Sequence, residues 1–250
     1  MKLSVVIPVH NEQECIEKVV DSLICELERN SIEYEIIIVN DNSTDLTAQV
    51  LEALAVRHAR LKITTSSPPK GFGRAIRTGL EHVSGDMVVI NMGDGSDDPQ
   101  DVISYYNKII EGYDCVFGSR FMKGSRVIGY PKIKLLLNRL GNTLIQILFL
   151  LNYNDVSNAF KAYRIEVIKA VQPLISQYFN ITVEIPLKAI IRGFSFAVVP
   201  INWYGRGSGV SKYHIRVLSR KYFFSILHVW LEKILLKEEI RSKNGLKITK

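Results

Sequence analysis

Ser4-Val-Val-Ile-Pro-Val-His-Asn-Glu12 runs through apolar, mostly β-branched residues and then breaks at once into His-Asn-Glu. The apolar part, Leu3–Val9, lacks the polar alternation of a half-exposed strand, so it reads as a strand covered on both faces, as in a parallel sheet. Ile16, Val19, Val20, Leu23, Ile24 and Leu27 follow it at helical spacing on one face. The same alternation repeats downstream. Glu35–Val39 reads as a strand before a helix carrying Leu46, Val50, Leu51 and Leu54. Leu61–Thr65 precedes a helix after Gly71, Met87–Ile90 precedes a helix carrying Val102, Ile103, Tyr106, Ile109 and Ile110, and Cys115–Gly118 is a further strand. Repeated βα units predict an α/β fold with a mostly parallel sheet between helical layers, and ligands of such sheets bind at the carboxyl ends of the strands.

Beyond residue 118 the pattern changes. Residues 119–131 are rich in Gly and basic side chains and read as a loop, and Leu135–Leu151 as an apolar helix broken by Asn138, Arg139, Asn142 and Gln146. Residues 155–171, a helix around Val183–Ile191 and a strand at Phe196–Ile201 complete the globular part. Tyr204-Gly-Arg-Gly-Ser-Gly-Val-Ser-Lys212 reads as a flexible loop, and Tyr222–Leu236 as an amphipathic helix with a very wide apolar face and a polar stripe of Ser225, His228 and Glu232. These features divide the chain into a domain over residues 1–213 and a basic helical tail over 214–250.

Charge follows the same division. From Lys212 onward there are ten Lys/Arg against three Glu, which is the whole of the +7 carried by the 250 residues. Such asymmetry predicts an acidic partner surface. Nucleic acid is disfavoured because the basic tail lacks interleaved aromatic platforms, which leaves an anionic membrane. No apolar run reaches the roughly 20 residues of a spanning helix, and Met1–Pro8 is strand-like rather than a secretory leader. Cys15, Cys25 and Cys115 show neither CxxC spacing nor companion histidines and read as thiols of a reducing compartment. A cytoplasmic protein, peripheral to the inner face of the membrane, is expected.

Three strands end in polar, acidic segments: Pro8-Val-His-Asn-Glu12, Val39-Asn-Asp-Asn-Ser-Thr-Asp45 and Asn91-Met-Gly-Asp-Gly-Ser-Asp-Asp-Pro99. Parallel strands bring such segments to one sheet edge. There, carboxylates accept hydrogen bonds from a base and a ribose and hold a divalent cation against a diphosphate. Ser43, Thr44 and Asp98 also suit helix caps.

These segments, with Phe117-Gly-Ser-Arg120, Asn158-Ala-Phe-Lys-Ala-Tyr-Arg164, Glu184 and Arg206 through Ser211-Lys212, resemble the inverting family 2 glycosyltransferases of GT-A fold. The register resembles their dolichyl-phosphate mannose synthase branch, over about residues 3–213. The resemblance implies a GT-A three-layer α/β/α domain that transfers a sugar from a nucleotide-sugar donor to a polyprenyl phosphate. It places Pro8, His10, Glu12, Val39 and Asp41 at the nucleotide, with His10 where the family usually has Tyr. It places Asp94 at the leaving diphosphate, and Arg120 and Lys134 as catalytic groups on the acceptor phosphate. Glu184, Arg206, Ser211 and Lys212 are the further acceptor-side positions. The metal positions are Asp94 and Ser96, for Mg²⁺ or Mn²⁺. The family's Asp-x-Asp falls on Met92-Gly93-Asp94, so one carboxylate is replaced by a thioether, a poor ligand for a hard cation, and a weakened metal site follows. Family members often add spanning helices that this chain lacks, so it needs surface docking or a membrane subunit. Two rival functions remain at this point: transfer to a saccharide hydroxyl, with Glu184, Asp97 or Asp98 as base, and nucleotide-sugar binding without turnover.

Overall fold

The computed structural model describes residues 1–205 and 215–245, with the side chains of the last helix described over 220–236. Strands β1 (Leu3–Val9), β2 (Tyr34–Asn40), β3 (Leu61–Thr65) and β4 (Met87–Ile90) alternate with helices α1 (Ile16–Arg29), α2 (Thr47–Arg57), α3 (Phe72–Glu81) and α4 (Pro99–Ile110). There follow β5 (Cys115–Ser119), β6 (Arg126–Ile128), α5 (Lys132–Phe149), β7 (Lys161–Arg164), α6 (Ile165–Ala170), α7 (Ile181–Ile191), β8 (Phe196–Pro200), β9 (Asn202–Tyr204) and α8 (Ile215–Gly245). The main sheet has the order β3-β2-β1-β4-β7-β5-β8. It is parallel except for β7, which runs antiparallel between β4 and β5.

All seven residues of β1 are buried, and alternate ones face opposite layers. Leu3, Val5 and Ile7 pack with Ile16, Leu23, Leu51, Val102 and Tyr105 from α1, α2 and α4. Val6, with Ile37 and Val39 of β2, packs with Ala75, Ile76, Val183 and Val229 from α3, α7 and α8. This is the three-layer α/β/α fold expected. Two features differ from the pattern in the sequence. Lys161–Arg164 is a strand although it opens on a lysine, and residues 126–128 lie within the stretch read as loop yet pair in parallel with β9. The helix expected at Tyr222–Leu236 is the middle of the longer α8.

One buried carboxylate ties the amino ends of the sheet together. Glu35, 3% exposed, accepts hydrogen bonds from Ser4 Oγ, Ser84 N, Ser84 Oγ, Lys2 Nζ and Lys62 Nζ. Burial pushes its carboxyl up, but the donors from Lys62, Ser4 and Ser84 outweigh burial and hold it far below its ordinary 4.5. A carboxyl depressed in the folded state contributes stability above its unfolded pKa that is lost as the pH falls. Glu35→Gln is therefore expected to cost about 1–3 kcal/mol at pH 7 and clearly less at pH 3, as read by urea unfolding. An equal cost at both pH values would refute the charge-based account.

Candidate active site

Because β1, β2 and β4 are mutually parallel, the three polar segments that follow them meet at one edge, as the sequence predicts. The first two are locked to each other. Asn11 N donates to Ser43 Oγ at 3.0 Å, Thr44 N donates to Asn11 Oδ1 at 2.7 Å, and Glu12 N donates to Thr47 Oγ1 at 2.9 Å. The main chain of Glu12 also opens α1, its carbonyl accepting from the N–H groups of Cys15 and Ile16. Asn11 and Asn42 both adopt φ 56°, a left-handed conformation that Asn tolerates better than most residues.

Asp41 is 6% exposed and is held from three sides. Its carboxylate accepts from Ser66 Oγ at 2.7 Å and from Gly71 N at 2.8 Å. Its carbonyl accepts from His10 Nδ1 at 2.8 Å, while His10 Nε2 accepts from Lys70 Nζ at 3.0 Å. Those two bonds together define one neutral imidazole tautomer. Gly71 is required where it stands, since a side chain there would collide with the Gln177 carbonyl. Pro8 and Val39 are register partners, both buried, and Val39 lies against α3 at Gly79. The Val39 side chain is therefore committed to packing, which leaves its main chain at the site edge. Ser66, Lys70 and Gly71 are the residues that sequence reasoning missed. They sit in an irregular connection, and the only available signal was the Lys70-Gly-Phe-Gly73 turn before a helix.

At the end of β4, Asp94 and Asp97 are each 8% exposed. Asp94 Oδ1 accepts from Ser96 N at 3.1 Å and Asp97 Oδ2 from Met92 N at 2.8 Å. Burial pushes Asp97 up to about 8, opposed by the Met92 N–H and by Arg120, and reinforced by the charges of Asp94 and Asp101. Ser96 is 2% exposed, and its main-chain carbonyl accepts from Tyr204 N. Asp98 caps α4, one oxygen accepting from Gln100 N and the other from Asn202 Nδ2. Among the described residues no three His, Cys, Asp or Glu form a cluster able to hold a metal ion. Asp94 fits as a single carboxylate ligand of a hard cation whose remaining positions go to diphosphate oxygens and water, the usual arrangement for Mg²⁺. Ser96, the other metal position the resemblance implies, lies two residues on in the same turn, joined to Asp94 through its main-chain N–H.

The acceptor-side residues divide. Arg120, 8% exposed, is locked to the wholly buried Asp155. Its Nε donates at 2.8 Å, its Nη2 at 2.7 Å and its main-chain N–H at 3.0 Å, all to that carboxylate. The guanidinium also lies over the rings of Phe121 and Tyr130. Arg120 is thus a fixed donor, not a swinging clamp. Nη2 also approaches Asn138 Oδ1 of α5 at 3.5 Å, and Lys134 stands one turn earlier on that helix, half-buried. Glu184 departs from expectation. It is wholly buried, and its two oxygens accept from Ile175 N and Ser176 N and pair with Lys188. Burial raises its pKa, but Ser176, the Ile175 N–H and Lys188 together hold it low. Glu184 braces the loop before α7 and is neither an acceptor contact nor a base. Arg206, Ser211 and Lys212 lie outside the described residues.

Comparison with known proteins agrees with this geometry. Residues 4–172 match the model of the family described as Glycosyl transferase family 2. Polyprenol monophosphomannose synthase of Mycolicibacterium smegmatis is 28% identical over 214 residues, which cover 83% of this chain and 79% of that protein. Dolichol-phosphate mannosyltransferase of Pyrococcus furiosus is 29% identical over 85% of this chain, which spans only 59% of that relative. In fold, the chain resembles glucosyl-3-phosphoglycerate synthase from Mycobacterium tuberculosis, solved with Mn²⁺, uridine diphosphate and phosphoglyceric acid. The TM-score is 0.69 at 19% identity, covering 92% of this chain and 78% of that one. The three-layer fold, with its polar edge at the ends of β1, β2 and β4, is therefore GT-A, and the chain belongs to glycosyl transferase family 2.

Proposed function

We propose that the protein transfers a sugar, with inversion, from a nucleotide-diphosphate sugar to a polyprenyl phosphate at the cytoplasmic face of a membrane. Pro8, His10, Glu12, the Val39 main chain and Asp41 form the nucleoside site, and Asp94 faces the donor's diphosphate. Mg²⁺ or Mn²⁺, when bound at Asp94, would neutralise charge on the leaving diphosphate. An oxygen of the acceptor phosphate forms the new bond to the anomeric carbon. The bond from that carbon to the diphosphate breaks, and its electron pair leaves with the nucleoside diphosphate. Arg120 and Lys134 orient the incoming phosphate, a positioning contribution that can lower the barrier by several kcal/mol, on the order of 7–11 at most. No proton has to be removed from a phosphate that arrives as an anion.

The observation that carries this choice of acceptor is the state of the carboxylates a saccharide hydroxyl would need. Glu184 is sealed behind the loop before α7, and Asp98 is committed through both oxygens to α4 and β9. Asp97 is buried, its Oδ2 accepts from Met92 N, and burial pushes its pKa up to about 8, so near neutral pH it holds its own proton. The rival transfer to a hydroxyl therefore lacks all three as a positioned base. The similarity to polyprenyl-phosphate transferases supports the same acceptor. Among the described residues no helix is long and apolar enough to cross a membrane; on this proposal the lipid acceptor is reached by docking on an anionic surface or through a membrane subunit.

The test is incubation of the purified protein with labelled GDP- and UDP-sugars and a polyprenyl phosphate, followed by solvent extraction. Label is expected in an acid-labile lipid product with one donor of the panel. Label confined to polysaccharide, or donor hydrolysis unaffected by the lipid, would overturn the assignment.

A further inference from the structure

Helix α5 is built inside out for a soluble protein. At 3.6 residues per turn, Ile133, Leu136, Leu137, Leu140, Leu144 and Ile147 share one arc of about 100°. Each is between 47% and 76% exposed. The opposite side is the buried one. Asn142, Ile145 and Phe149 are covered, Asn142 Oδ1 accepts from Ser157 N at 2.9 Å, and Asn138 Nδ2 donates to Ser157 Oγ at 3.1 Å. The polar stripe thus faces the protein and the aliphatic stripe faces outward, the reverse of a core helix. Contiguous apolar surface of this kind marks an interaction site.

The charges around the stripe identify the occupant. The 18 residues of α5 include three cations and no acid. Lys132 and Arg139 border the arc on one side and Lys134 on the other. Flanking cations beside an outward aliphatic stripe suit an anionic bilayer, where the stripe enters the acyl boundary and the cations stay among the headgroups. A protein partner would gain nothing from a one-signed rim unless it were acidic itself.

We propose that the outward face of α5 is the surface that seats this protein on an anionic leaflet. The wide apolar circumference of Tyr222–Leu236 has a different main cause. Ser225 and Val229 are buried, and Tyr222, Ile226 and Trp230 pack on the core. α8 is thus a core helix on that side, with Phe223, Phe224 and Leu235 exposed on the other. Lys233 Nζ donates to the Phe149 carbonyl, which joins α8 to the end of α5. The inner side of α5 borders Arg120 through Asn138, so seating α5 at headgroup depth brings the acceptor side of the site to the level of lipid phosphates. This last step rests on the acceptor assignment above; the docking itself does not.

The experiment compares the full-length wild type with a Leu136→Gln, Leu140→Gln, Leu144→Gln triple variant. Both are co-sedimented, without donor or acceptor, with phosphatidylcholine vesicles and with vesicles also containing phosphatidylglycerol. Wild type is expected to partition at least about tenfold more strongly onto the anionic vesicles, and the triple variant to lose at least about tenfold of that partition. Raising salt from 0.1 to 1 M, which shortens the Debye length from about 10 to about 3 Å, should remove the anionic preference and leave residual binding. A separate Leu140→Trp variant should gain fluorescence that brominated lipids quench. Equal vesicle binding by wild type and triple variant, or an unquenched Leu140→Trp, overturns the proposal. So does a wild-type dimer that the triple mutation converts to monomer with no change on vesicles. Transfer to a short, water-soluble polyprenyl phosphate analogue is measured in parallel. If transfer fails while vesicle binding behaves as expected, the acceptor assignment is wrong and the docking surface stands.

Discussion

Asp155→Ala should destabilise the protein by about 3–5 kcal/mol, the usual consequence of stranding one member of a buried ion pair. Asp155 is wholly buried and Arg120 is 8% exposed, and three donors of Arg120 converge on the one carboxylate. Removing that carboxylate leaves a guanidinium that water reaches poorly. Lys161 loses a nearby counter-charge at the same time. Burial and the Arg120 charge already lower its pKa to about 7, against the pull of Asp155. Urea unfolding reads the loss directly. The combined Asp155→Leu, Arg120→Met variant separates pairing from packing, since replacing a whole buried pair with apolar residues is often close to neutral. It should regain most of the stability and still fail in sugar transfer, because Arg120 is gone. A single variant within about 1 kcal/mol of wild type would mean that water enters beside Arg120 and that its orientation does not depend on Asp155.

How far the sequence could be read depended on whether the cause of a feature lay along the chain or across it. Strands β1, β2 and β4 were legible because burial on both faces forces continuous apolar runs. β7 was not, because it opens on Lys161, whose ammonium is hidden by donating to the carbonyls of Val156, Asn158 and Thr182. No composition reveals a turn that aims the carbonyls of Val156 and Asn158 back at this ammonium, or the Thr182 carbonyl that α7 brings to it. The carboxylates Asp41 and Asp94 were legible as strand-end residues, while the Ser66, Lys70 and Gly71 contacts that fix Asp41 and His10 arise from an irregular loop with no period. Arg120 was singled out through the family resemblance, but its lock to Asp155 was not legible, since 35 residues separate them. Glu184, with Val183 and Ile185 beside it, fitted either a site residue or a buried brace, and only the N–H groups of Ile175 and Ser176 decide for the brace. The two apolar helices were legible as helices but not in which side they bury. Tyr222–Leu236 suggested a membrane face and packs one side on the core, whereas Leu135–Leu151, an apolar helix broken by polar residues, turns its aliphatic side outward.

Asp94→Asn is expected to lower kcat on the order of a hundredfold, about 2.7 kcal/mol of transition-state stabilisation, while the unfolding midpoint stays near that of wild type. The substitution separates charge from structure. The asparagine keeps an oxygen to accept from Ser96 N, the bond that Asp94 Oδ1 makes at 3.1 Å, so the turn after β4 retains its geometry. What it loses is the negative charge that would hold a cation against the leaving diphosphate. Met92 sharpens the expectation. A site with two carboxylates on this turn would retain one after the substitution; here the side chain two positions before Asp94 is a thioether, and Asp97 is tied to Met92 N. Isothermal titration of Mn²⁺ in the presence of the nucleoside diphosphate product should accordingly show weaker binding in Asp94→Asn. It should show tighter binding than wild type in Met92→Asp, where a second carboxylate is restored. A kcat within threefold of wild type in Asp94→Asn, with unchanged Mn²⁺ titrations in both variants, would mean that the diphosphate charge is met elsewhere, and Lys70 beside His10 would be the first residue to replace.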